Sequence, residues 1–283
     1  RRARGKSGCC SIFSFLLFCL ATTDLALASP TPSPAELAAW QQRAERVTIT
    51  RDEWGIPHIH GRSDADAVFG LIYAQAEDDF NRIEMNYLGA LGRTAEAEGE
   101  EKLLQDLRMR LVVDEDTLRS HYAVSPAWLR SLMDAWADGL NYYLATHPQV
   151  RPKVLQRFEP WMTLAFSEGS IGWDIERVSL GDLEQFYGKG LLTARATTEF
   201  AAGTSDGQGG SNGMALSGTV TRSKHALLLI NPHTSFYFRA EAHVRSDAGL
   251  DAYGAVTWGQ FFIYQGFNER LGWMHTSTGA DIL

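Results

Sequence analysis

The chain has 283 residues, 45% hydrophobic and 21% charged, the balance of a globular protein with material for one large domain or two small ones. Its formal net charge is −8, and residues 1–28 set Arg1, Arg2, Arg4 and Lys6 against Asp24 alone, so the rest carries −11, which argues against nucleic acid and anionic membranes as partners. All three cysteines (Cys9, Cys10 and Cys19) lie in that opening stretch, which excludes disulfides, metal-thiolate sites and thiol catalysis downstream.

The basic start runs into an apolar stretch from Cys9 to about Thr22, and Ala26-Leu27-Ala28 follows as a small-x-small cleavage site. The run is too short and wrongly flanked for a spanning helix, so residues 1–28 are expected to be a secretory signal peptide. Ser7-Gly8-Cys9 has the small residues of a lipoprotein box, but it precedes the apolar run, which argues against a lipid anchor. A periplasmic or secreted protein is expected, with no membrane contact after signal removal. Ser29-Pro30-Thr31-Pro32-Ser33-Pro34 offers nothing to bury and reads as a leader.

Val47-Thr48-Ile49-Thr50 alternates as a strand does, Asp52 to Gly55 reads as a turn, and Pro57-His58-Ile59-His60 returns. His58 and His60 share a strand face, as two metal ligands can, but no third ligand is evident. Ser63 with Asp66 signals a helix start, and Phe69, Ile72, Ala76, Phe80, Ile83 and Tyr87 continue one apolar face. A second helix starts at Ser125-Pro126, buries Leu129, Leu132, Trp136, Leu140 and Tyr143, and ends before Pro148. Residues 35–195 are thus mainly helical after a short hairpin, and 211–283 mainly strand: an α+β chain.

Between these halves, Thr197 to Gly210 holds four glycines and no large apolar residue after Phe200, so it cannot offset its ordering entropy and reads as a removable spacer. A hairpin follows, with Met214 to Val220 outward, Thr221 to Lys224 as turn and Ala226 to Ile230 returning. Pairing about a centre near residue 222 predicts His233 opposite residue 211 or 212. If the Gly210–Ser211 bond breaks, Ser211 gains an α-amine of pKa about 7.7–8.0 beside its own hydroxyl, a base and a nucleophile in one residue. Two other readings stand beside this one. Ser211 can be a linker serine in a glycine-rich hinge, or Gly209-Gly210-Ser211-Asn212-Gly213 can be the G-x-S-x-G elbow of an α/β-hydrolase, which needs a strand before the serine and a helix after it.

These residues resemble the penicillin acylase (penicillin amidase) family of N-terminal nucleophile hydrolases, which includes acyl-homoserine lactone acylases. Ser211-Asn212 resembles the start of the family's catalytic β-subunit, and Asn231-Pro232-His233 the segment where members carry His or Gln. Gly266 to Trp273 with His275-Thr276-Ser277 resembles the segment donating an oxyanion-hole amide. Arg51 to Ile59 and Ala76-Glu77-Asp78 resemble the start of the α-subunit. The likeness spans roughly residues 46–283, with Asp79 standing where many members have Arg. The chain starts without Met and stops short of the family's long β-subunit, so it reads as a gene fragment truncated at both ends.

The resemblance implies an αββα sandwich, with residues 29–196 as α-subunit, 197–210 as spacer and 211–283 as the start of the β-subunit, the two chains pairing as a heterodimer after cleavage at Gly210–Ser211. It implies hydrolysis of N-acylated small molecules (β-lactams, N-acyl-homoserine lactones or lipopeptides), with Ser211 as nucleophile, His233 helping to orient the amine, and Ser277 giving a backbone N–H to the oxyanion. No organic cofactor is implied. Calcium is, as a structural ion on Glu176 and Asp281, whose hard oxygens suit it, although solvated acids fit these positions equally. Trp258, Phe261, Phe262, Ile263 and Tyr264 form an apolar cluster; Phe262, Ile263 and Tyr264 are the candidate acyl-pocket lining, with core packing as the commoner use. A serine esterase with the elbow, or a non-catalytic exported binding protein, are the alternatives.

The export reading is checked by fractionating cells that express the full gene. The product is expected in the periplasm without residues 1–28, and a cytosolic product retaining them contradicts the assignment.

Overall fold

The computed structural model describes residues 31–165, 178–187, 210–233 and 238–276; apart from Thr31 they belong to one compact unit, Pro32–Leu283. Its first helix, α1 (Pro34–Ala44), begins inside the stretch read as a structureless leader. The Ser33 hydroxyl accepts the Glu36 N–H at 3.2 Å, and the Glu36 carboxylate accepts the Ser33 N–H at 2.9 Å. This capping box, with proline at the first helical position, satisfies donors that a helix start otherwise leaves unpaired.

Strands β1 (Val47–Arg51) and β2 (Pro57–Gly61) form the expected antiparallel hairpin, Ile49 opposite Ile59. Helix α2 (Asp64–Ala90) starts where expected, the Ser63 hydroxyl accepting the Asp66 N–H, and Phe69, Ile72, Ala76, Phe80, Ile83 and Tyr87 are all buried. It is not continuous. Asp79 adopts φ −157° and ψ 72°, and its carboxylate accepts the Arg82 N–H at 3.0 Å and Nε–H at 2.8 Å. Asp79 therefore kinks the helix and caps its second half, using the short acidic side chain that N-caps favour.

Short helices α3 (Ala95–Glu98), α4 (Leu103–Met109) and α5 (Glu115–Val124) lead to α6 (Ala127–Thr146). Helix α6 buries Trp136, Leu140 and Tyr143 and stops at His147, just before Pro148; Leu129 and Leu132 are only partly buried. A Cβ on Gly139 would sit 2.4 Å from Ile72 Cγ2 and 2.9 Å from the Phe69 carbonyl, so the crossing with α2 leaves no room for a side chain there. Helix α7 (Leu180–Tyr187) is the last helix among the described residues.

The strand-rich half follows as β3 (Ser211–Leu216), β4 (Leu227–Pro232), β5 (Arg239–Ser246), β6 (Asp251–Thr257), β7 (Gln265–Phe267) and β8 (Gly272–Trp273). β3 and β4 form a two-stranded sheet whose Leu227, Leu228 and Leu229 are exposed. The other strands form one sheet in the order β1-β2-β5-β6-β7-β8, in which β2 and β5 are parallel. One sheet is thus assembled from chain on both sides of Ser211. Its inner face buries Ile59, Ala242, Val244, Ala252, Val256 and Ile263 with Ala67 and Leu71 of α2, while the opposite face of α2 builds an aromatic core with α6 and Phe158. The α+β class expected from the sequence holds.

A second join ties the halves together. The turn Trp258-Gly259-Gln260 inserts its peptide groups between side chains of α2 and α6. Gln75 Oε1 accepts the Gly259 N–H at 2.9 Å and its Nε2–H donates to the Gln260 carbonyl at 2.9 Å. The Gly259 carbonyl accepts both Trp136 Nε1–H at 2.8 Å and Tyr87 O–H at 3.0 Å, and Asn86 donates to the Trp258 carbonyl at 2.9 Å. Gly259 has φ 101° and Tyr87 would crowd a Cβ there at 2.8 Å, so glycine is needed on both counts. Gln75→Leu keeps much of the volume but leaves one N–H and one C=O buried without partners. It is expected to cost about 2–5 kcal/mol in urea unfolding, and a loss below about 0.5 kcal/mol would show that water or rearrangement replaces the clamp.

Candidate active site

Gly210 and Ser211 lie at the start of β3, with Ser211 opposite Pro232 and Asn212 opposite Asn231. The register thus differs by one residue or two from the expected placement of His233 opposite 211 or 212. The hairpin turns between Thr221 and Arg222, where the Thr221 hydroxyl donates to the His225 carbonyl at 2.7 Å and braces the turn. A one-residue shift exchanges the sheet faces of all side chains. Ser211 therefore projects to one face, and the His233 side chain reaches Asn212 on the other.

His233 still meets Ser211, but through its backbone. Its N–H approaches the Gly210 carbonyl at 3.2 Å and Ser211 Oγ at 3.4 Å, while its Nε2 lies 3.2 Å from Asn212 Nδ2. Asn212 Nδ2 can only donate, so Nε2 is the acceptor. The imidazole is committed to Asn212 and is not aimed at the Ser211 hydroxyl.

Ser211 is also held from the other side, by its own N–H donating to Thr276 Oγ1 at 2.9 Å. The segment that brings Thr276 there is pinned to the main sheet: Trp273 Nε1–H donates to the Ile263 carbonyl at 3.0 Å, and Gln265 Nε2–H to the His275 carbonyl at 3.0 Å. Met274 Sδ would lie 2.2 Å from a Cβ on Gly213, so a glycine lets the hairpin approach. No sequence pattern by itself marks Thr276 or Asn212 as a contact of Ser211 or His233. The available signal was their adjacency to Ser277 and Ser211.

The proposed pocket residues divide. Tyr264 packs against His275, next to Thr276, with ring centroids 4.4 Å apart and planes tilted by 35°, and Arg239 lies 4.9 Å from the Tyr264 ring. Phe262, 47% exposed, brings its ring centroid to 6.4 Å from that of Tyr264, whereas Ile263 is buried in the sheet core. Ser277, Glu176 and Asp281 lie outside the described residues. Among the described residues no three His, Cys, Asp or Glu side chains converge as a metal site, and no helix is long and apolar enough to cross a membrane. His58 and His60 do not converge: His60 Nε2 pairs with Asp247 at 3.0 Å, while His58 turns to His243. The elbow alternative fails on geometry, because Ser211 opens strand β3 where the elbow requires the start of a helix.

The family model described as penicillin amidase matches residues 46–283. The chain belongs to the penicillin amidase family. The acyl-homoserine lactone acylase PvdQ of Pseudomonas syringae pv. tomato is 26% identical over 288 residues, an alignment covering 89% of this chain and 36% of that protein. The penicillin acylase 2 proenzyme of Pseudomonas sp. (strain SE83) is 30% identical over 125 residues, covering 42% of this chain and 16% of that protein. Among solved structures, the thermostable penicillin G acylase from Alcaligenes faecalis matches at 22% identity and a TM-score of 0.42, over 48% of this chain and 77% of that one. The chain spans about a third of the length of the acyl-homoserine lactone acylases it matches.

Proposed function

We propose that the protein is an exported, self-processing acylase that hydrolyses the amide bond of N-acylated small molecules with Ser211 as an N-terminal nucleophile. The observation that carries this reading is the anchoring of Ser211 in a family member: its N–H is held by Thr276 at 2.9 Å and its hydroxyl is approached by the His233 N–H at 3.4 Å. Both reacting atoms are thus oriented by groups that need no change of charge.

In maturation, Ser211 Oγ adds to the Gly210 carbonyl carbon and the Ser211 nitrogen leaves with a proton as the free α-amine; water then cleaves the resulting ester, releasing the Gly210 carboxylate and restoring the Ser211 hydroxyl. In turnover the neutral amine takes the hydroxyl proton, directly or through a water, as Oγ attacks the acyl carbonyl. The proton then passes to the departing amine, and water hydrolyses the acyl-enzyme. The Ser277 N–H is assigned to the developing oxyanion, where one such donor is typically worth about 3 kcal/mol. The heterodimer of α- and β-chains, the spacer at 197–210 and structural calcium on Glu176 and Asp281 belong to the same proposal. β-Lactams, N-acyl-homoserine lactones and lipopeptides are the substrate classes it includes.

Ser211→Ala in the full-length protein is expected to remain uncut and inactive, because neither the acyl shift nor the acyl-enzyme has an oxygen to use. Ser211→Cys retains a nucleophile and is expected to be cut but to lose most turnover. His233→Gln keeps the backbone N–H at Ser211 and offers a side-chain oxygen to Asn212, so it is expected to process and keep part of its activity. A histidine acting as general base would instead lose about 10²–10⁴-fold. Gel analysis of chain cleavage with steady-state hydrolysis of a chromogenic N-acyl anilide reads all three, and an active, normally cut Ser211→Ala would eliminate the mechanism.

A further inference from the structure

The sheet face turned away from α2 carries a row of paired residues, Thr50, His58, His243, Tyr253 and Phe267. Within it His58 and His243, neighbours on parallel strands, bring their Nδ1 atoms to 3.1 Å with ring planes at 80°. The outer nitrogen of each ring is engaged by a carboxylate: His58 Nε2 lies 3.3 Å from Asp52 Oδ2 and His243 Nε2 2.9 Å from Asp251 Oδ1. The Asp52 carboxylate also accepts the Trp54 and Ile56 N–H groups at 2.9 and 3.0 Å.

A carboxylate only accepts, so each Nε2 must carry the hydrogen. In neutral rings both Nδ1 atoms then present bare lone pairs to one another at hydrogen-bond distance, a repulsive arrangement until a cation lies between them. Two zinc–imidazole bonds of about 2.0–2.1 Å span the observed separation at an angle near 100°, close to tetrahedral. Carboxylates on the far nitrogens are what orient metal-binding histidines and raise their basicity. The side chains of His58 and His243 are 35% and 24% exposed, so an ion can reach them. An open cavity of about 320 Å³ lies beside His243 and Asp251, lined further by Tyr253, Phe267, Asn268 and Glu269.

We infer that His58 and His243 bind one divalent transition-metal ion through their Nδ1 atoms, with Asp52 and Asp251 as orienting partners. Imidazole donors select zinc, nickel or copper over magnesium or calcium, so the site differs in kind from an all-oxygen calcium site.

The test is calorimetric titration of the purified chain with zinc, nickel and magnesium chlorides. Uptake of one zinc or nickel ion per chain and no magnesium is expected. His58→Gln and His243→Gln should each abolish it, Asp251→Asn should weaken it roughly 10–100-fold, and His60→Gln should leave it unchanged. Because a strand substitution can disturb folding, the unmodified chain gives a second readout: paramagnetic nickel should broaden the ring resonances of His58 and His243 before those of His60 or His233. Absence of zinc and nickel uptake, uptake that survives His243→Gln in folded protein, or broadening first at His60 would overturn the assignment. A single proton shared between the rings in place of a metal would overturn it as well.

Discussion

The turn at Trp258-Gly259-Gln260 is the constraint on which the described structure depends. Its peptide groups are buried where no strand is available to pair them, and an unpaired buried N–H or C=O costs about 1–3 kcal/mol. Gln75, Asn86, Tyr87 and Trp136 supply the missing partners from two helices. The aromatic core between those helices and the strand half are thereby fixed to each other, independently of the covalent connection between them. Together with the parallel pairing of β2 and β5, these contacts would hold the two parts together if the Gly210–Ser211 bond were cut as proposed.

The same frame sets the position of Ser211. The β7–β8 segment is tied to the sheet by Trp273 and Gln265 and carries Thr276 to the Ser211 N–H. The hairpin meets that segment at two glycines, Gly213 against Met274 and Gly272 against Leu228, where a Cβ would come within 2.3 Å of the opposing side chain. Close approach at these points substitutes for the strand pairing that β3 and β8 lack. His233 contributes through its backbone and leaves its imidazole with Asn212, which is why a glutamine at this position is compatible with the geometry.

The outer sheet face shows how parallel pairing creates chemistry that no local sequence pattern displays. His58 and His243 are 185 residues apart, and each makes its carboxylate contact within a few residues of its own strand. Local hydrogen bonding engages the outer ring nitrogens, and the β2–β5 register then sets the two Nδ1 atoms against each other.

By itself the sequence determined what depends on short-range periodicity and capping. The apolar faces of α2 and α6, the β1–β2 hairpin, the change from helix to strand by residue 211, and the ordered motifs of the penicillin amidase family were all legible in it. The Ser33 cap of α1 was also written there, in Ser-Pro-x-Glu, but proline-rich composition masked it. The tertiary structure decided the hairpin register, because the turn's hydrogen bonds choose between neighbouring registers that composition leaves nearly equivalent. It also decided that Ile263 belongs to the core while Tyr264 faces His275, since alternation along a short irregular segment does not say which side the sheet will cover. Only the crossover that makes β5 a parallel neighbour of β2 could bring His243 to His58, because contact between distant residues follows from strand order, and strand order is set by how the two halves pack.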